Sequence, residues 1–92
     1  MFQIYKYALL PNFENSLYLT KGSKILHVDV QNDSLQAWIL HDLTATDREL
    51  RVISVWGTGI NIPDHGSLLY LNTCFTKDQS FVWHAFERVS AF

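Results

Sequence analysis

Residues 24–42 read Lys24-Ile25-Leu26-His27-Val28-Asp29-Val30-Gln31-Asn32-Asp33-Ser34-Leu35-Gln36-Ala37-Trp38-Ile39-Leu40-His41-Asp42. Two runs of strand-favouring residues flank Asn32-Asp33-Ser34, whose short polar side chains suit a tight turn. This predicts a β-hairpin of strands 24–31 and 35–42. Side chains alternate across a strand, so Leu26, Val28 and Val30 are expected in the core, with Ile25, His27, Asp29 and Gln31 partly wet. On the return, Leu35, Ala37 and Ile39 face one way and Gln36, Trp38 and Leu40 the other. Neither face is cleanly polar, so the strand is expected to be covered on both sides.

The same period of two continues outward, and no window of 11 or more residues keeps a helical stripe. Further strands are predicted over Phe2–Leu10, Ser16–Thr20, Glu49–Trp56, Leu68–Thr76 and Phe81–Glu87. Asn12–Asn15 reads as a polar loop after Pro11. Thr44–Arg48 reads as a polar excursion with room for one helical turn, and Arg88–Phe92 as a short tail from which Phe92 is placed to dock on a partner. The expectation is one all-β domain spanning 1–92, with about seven mostly antiparallel strands in a compact sandwich or small barrel.

The chain has 92 residues, 48% hydrophobic, with three Trp, four Tyr and six Phe, a net charge of −2 and one cysteine. So small a core gives marginal stability, one thiol excludes an intrachain disulfide, and the aromatics are too many to bury within one copy. A homo-oligomer is therefore expected. No apolar run approaches the roughly 18 residues of a membrane span, and the acidic balance argues against a DNA or RNA duplex as partner. A cytoplasmic protein is expected.

Gly57-Thr58-Gly59 is the most suggestive local feature. Glycines let backbone N–H groups approach a phosphate, and Thr58 adds a hydroxyl, although a bulge or tight turn would use the same glycines. Trp56 adjoins this turn and is expected to stack a base whose phosphate sits on it. Arg51, Arg48 and Lys6 are the candidate phosphate cations, set against ion pairing with Asp47 and Glu49. Tyr7 is a further aromatic candidate. His27, His41, His65 and His84 are spaced too widely for a local metal motif, so no metal and no cofactor is expected. Cys74 with His84 is the one nucleophile–base pair worth naming, and Cys74 reads better as a buried apolar residue. An enzyme is not expected.

Ile4-Tyr5-Lys6-Tyr7, the run Lys24–Gln31, Ala37-Trp38, Gly57-Thr58-Gly59 with Ile62-Pro63, Gly66 and Thr73, and Phe81–Glu87 occur in an order and spacing that resembles a family of small phage proteins. That family includes tetrameric anti-CBASS viral sponges, which bind cyclic GMP-AMP-type immune signals and hold them without cleavage. The resemblance implies a phage-encoded immune-evasion protein in the host cytoplasm, a cyclic di- or trinucleotide ligand and a tetramer. The chain departs from the family's pattern at Trp56 and at Ile60-Asn61. The rival reading is an accessory module that inhibits a host protein through exposed aromatics.

Overall fold

The computed structural model describes residues 1–63 and 66–90; the candidate positions His65 and Phe92 lie outside them. Seven strands follow in order: β1 (Phe2–Ala8), β2 (Phe13–Thr20), β3 (Lys24–Gln31), β4 (Ser34–Asp42), β5 (Arg48–Gly57), β6 (Ser67–Phe75) and β7 (Val82–Ser90). They form a three-stranded sheet, β1-β4-β3, and a four-stranded sheet, β2-β5-β7-β6, antiparallel throughout. Of the two architectures the sequence leaves open, the fold is the sandwich.

The core lies between the sheets. Val28, Leu35, Ala37 and Ile39 from one face Leu19, Ile53, Val55, Cys74 and Ala85 from the other. Fully burying a side chain such as Ile53 is worth about 1.5–3 kcal/mol.

The β3–β4 hairpin turns through Asn32 and Asp33, both with positive φ (51° and 62°), as a two-residue type I′ loop requires. Its alternation departs from expectation at one point. A bulge between Ile25 and His27 leaves Leu26 unpaired, so Ile25 packs on the core and Leu26 is 44% exposed. Nor is β4 covered on both sides. Leu35, Ala37, Ile39 and His41 are buried, while Trp38 and Leu40 lie half-buried on the outer face.

Phe13–Asn15, expected as loop, opens β2. Asn15 is buried because its amide closes the β1–β2 connection, accepting from Leu10 N (2.8 Å) and donating to Leu10 O (3.1 Å) and Ile53 O (3.2 Å). After β4, Ala45 N donates to Asp42 O (3.2 Å) in a simple turn, and no helix forms among the described residues. The expected tail continues β7 as far as Ser90, beside Ser67 of β6.

The two long sides of the sandwich differ. Where edges β3 and β6 meet, the Asn72 amide accepts from Val28 N (3.0 Å) and donates to Val28 O (2.6 Å), standing in for a strand pair. On the other side β1 overhangs: Phe2 and Ile4 point outward, Gln3 and Tyr5 inward, and all four are exposed.

Strands β5 and β6 are parallel with β7 between them, so their connection must travel from the level of Trp83, beside Gly57, to that of Ser90, beside Ser67. That is about 23 Å of strand.

Candidate functional site

The β1–β2 loop, the Asn32-Asp33 turn, the end of β5 and the β6–β7 turn converge at one pole of the sandwich. Phe81 stands at their centre, 58% exposed, stacked on Trp83 with ring centroids 5.9 Å apart and planes 11° from parallel. Three grooves meet on Phe81. One of about 540 Å³ is lined by Asp33, Lys77, Asp78 and Ser80, one of about 410 Å³ by Leu10, Pro11, Val30, Asp33 and Trp83, and one of about 280 Å³ by Asn12, Gly57, Thr58, Ile60 and Trp83. All four described non-glycine residues with positive φ, Asn12, Asn32, Asp33 and Gln79, belong to these pole loops.

The charges here are few. Asp78 is tied into its own turn, accepting from Ser80 Oγ (2.7 Å), Ser80 N (3.1 Å) and Thr76 Oγ1 (2.8 Å), and these bonds lower its pKa to about 2. Among the described residues, Lys77 is the one cation lining these grooves. The Asp33 carboxylate, which lines two of the grooves that Phe81 shares, has no hydrogen-bond or ion-pair partner among the described residues.

Gly57-Thr58-Gly59 lies at this pole, with the backbone N–H groups of Gly57 and Thr58 already committed within the protein. Gly57 N donates to Asn12 Oδ1 (2.9 Å), Thr58 N to Val82 O (3.3 Å) and Ile60 N to Gly57 O (3.2 Å). Gly57 sits close under Trp83, where a Cβ would stand 3.1 Å from the ring, a tight contact. The Thr58 hydroxyl instead heads a chain across the outer face of the larger sheet: Thr58 Oγ1 to His84 Nε2 (2.8 Å), His84 Nδ1 to Thr73 Oγ1 (3.1 Å), and Thr73 Oγ1 to Tyr70 OH (2.6 Å). Nucleophilic use of Thr58 would need a carboxylate orienting the imidazole and free donors for an oxyanion. Thr73 occupies the first position, and the N–H groups of Gly57 and Thr58 are already taken up.

Trp56 cannot stack a ligand. It is 7% exposed on the outer face, away from the main core, and donates through Nε1 to the buried Ser54 hydroxyl. Arg51 is equally unavailable. Its guanidinium lies between the sheets, donating from Nε and Nη2 (3.0 Å) to the Glu87 carboxylate and from Nη1 to Ser23 O (2.6 Å) and Glu49 (3.3 Å). These bonds to Glu87, opposed by burial, raise its pKa.

Arg48 begins β5 and Gly57 ends it, roughly 30 Å of extended strand apart. Arg48 acts electrostatically on Tyr7 and His41 instead. The Tyr7 hydroxyl, its pKa raised by burial, bonds His41 Nε2 (2.7 Å), and Lys6 on the outer face of the smaller sheet donates to Gln31 Oε1 (2.6 Å). The eight candidate residues thus divide among five places.

Cys74 and His84 do not form a pair. Cys74 sits opposite Trp83 on the core face and His84 opposite Trp56 on the outer face, and burial raises the Cys74 pKa to about 11. The pole residues that sequence reading missed are Phe81, Trp83, Asp33 and Lys77. Phe81 and Trp83 stood among the aromatics with nothing to separate them from core rings.

Residues 1–91 match a family described as Domain of unknown function (DUF7352). No curated protein and no solved structure matches the chain.

Proposed function

The chain belongs to the DUF7352 family, and we propose that it captures a cyclic oligonucleotide signal at the loop pole and holds it without cleavage, as a phage immune-evasion protein. The observation that carries this reading is the exposed, parallel Phe81–Trp83 stack at the meeting point of three grooves. An aromatic face stacks a nucleobase for about 1–3 kcal/mol, and ligand sites span roughly 300–1,000 Å³. The grooves of about 540 and 410 Å³ reach that scale. In this reading a base lies on Phe81, Lys77 faces phosphate, and the Thr58 hydroxyl contacts the edge of the ligand.

Calorimetry with cyclic GMP-AMP and related cyclic dinucleotides tests it, followed by chromatography of the recovered ligand. Binding with intact recovery is expected, and Phe81→Ala should weaken it about 5- to 150-fold. Unchanged affinity in that variant, or a degraded ligand, overturns the reading.

A second reading, a module that inhibits a host protein, is favoured by the open edge of β1, where a foreign strand could add to the sheet. It predicts a stable complex with a host protein and no response to any nucleotide.

A further inference from the structure

We infer that Asp33 makes the loop pole selective for guanine; this rests on the reading above and names the base that its site takes. Asp33 is exposed, lines both of the larger grooves together with Phe81, and its carboxylate is unpaired among the described residues. A free carboxylate repels the phosphates of a nucleotide unless it meets a group that donates. A base lying flat on Phe81 presents its edge sideways, and Asp33 flanks that ring through two grooves.

An ionised carboxylate offers two acceptor oxygens and no donor. Guanine alone among the common bases places two neighbouring donors, N1–H and the 2-amino group, on its Watson–Crick edge. Adenine sets one donor beside one acceptor there, cytosine one donor beside two acceptors, and uracil one donor between two acceptors. Two parallel charge-assisted bonds to guanine therefore have no equivalent with the other bases. Lys77 shares the groove of about 540 Å³ with Asp33, so a cation for phosphate and an acceptor for the base edge line one groove.

The backbone sharpens the argument. Asp33 holds φ at 62° in a turn position where glycine is the unstrained choice. Asn tolerates that conformation at least as well as Asp, so Asp33→Asn removes the charge and leaves the turn intact.

The test compares the affinities of cyclic di-GMP, cyclic GMP-AMP and cyclic di-AMP for the wild type and for Asp33→Asn. The two guanine ligands should bind the wild type at least tenfold tighter than cyclic di-AMP, and the variant should lose that margin with its melting temperature unchanged. Equal wild-type affinity for all three overturns the assignment while leaving the capture reading in place. Uniform weakening of all three in Asp33→Asn also overturns it, because the carboxylate would then serve a ribose hydroxyl. Failure of all three to bind overturns both.

Discussion

Arg51 and His41 show how a polar side chain is decided by where its strand places it. Both guanidinium edges of Arg51 are taken up by Glu87, Ser23 and Glu49. Arg51→Ala would leave Glu87, itself 9% exposed, as a carboxylate without its cation between the sheets. Removing one partner of such a pair destabilises by about 3–5 kcal/mol. Urea unfolding should show a loss of that size, and a near-neutral result would mean that water reaches Glu87. Arg51, a candidate phosphate cation set against ion pairing with Glu49, is then a fastener between β5 and β7. His41 is governed by burial first and the Arg48 charge second, and both lower its pKa. As pH falls the unfolded chain takes up the proton first. The stability that His41 contributes is therefore whole above the ordinary histidine value of about 6.5 and drains away as pH drops toward the lower folded value. The gap in unfolding free energy between wild type and His41→Gln should narrow between about pH 7.5 and pH 5. A constant gap would show that only the size and shape of the ring matter there.

At the scale of the element, the β3–β4 hairpin carries its own conflict. Asp33 sits at positive φ without being glycine. A residue with a Cβ pays roughly 1–2 kcal/mol for that conformation, against about 0.5–1 for the greater chain freedom of glycine. Asp33→Gly should therefore raise stability by about 0.5–1 kcal/mol and abolish the guanine preference; a less stable variant would mean that the carboxylate supports the turn. The opposite effect is expected where β6 meets β3. Asn72→Ala leaves Val28 N–H and C=O without the amide that bonds both. The expected loss is about 2–3 kcal/mol by thermal or urea unfolding, and unchanged stability would assign closure of that side to apolar packing alone. The hairpin was legible because β-branched alternation and a two-residue turn are local signals, and β3 came out with its bounds intact. The bulge at Leu26 was not, since a single unpaired residue leaves no mark on composition. Asn15 misled for a related reason: a buried amide that closes a loop looks the same in sequence as an exposed one. For the site, only Gly57 and Thr58 among the candidates line a groove, with Gly59 beside them. Phe81 and Asp33 are 48 positions apart in the chain, and only the packing of two hairpins brings them to one pole.

Over the whole molecule, the asymmetry between the two long sides bears on how many copies act together. One side is stitched by Asn72, while on the other β1 presents Phe2, Ile4, Tyr5 and Lys6 to solvent at the end of a sheet. A free, apolar edge strand is a template for pairing unless something blunts it. Lys6 is its only charge, and its amine already rests on Gln31. Antiparallel pairing of two copies with Tyr5 at the centre overlaps the full strand. It sets Lys6 of each copy opposite Ile4 of the other, so no like charges meet, and joins the two small sheets into one of six strands. Ile4 is 57% exposed in the single chain, so replacing it should leave the fold unchanged. Ile4→Lys would put lysines directly opposite each other on both sides of the axis, and sedimentation should report monomers. Ile4→Glu would put carboxylates opposite those lysines and should keep the copies together, a contrast that loss of apolar area alone would not produce. If the wild type itself sediments as a monomer, β1 is open to a strand from another protein, and the host-binding reading gains at the expense of self-assembly.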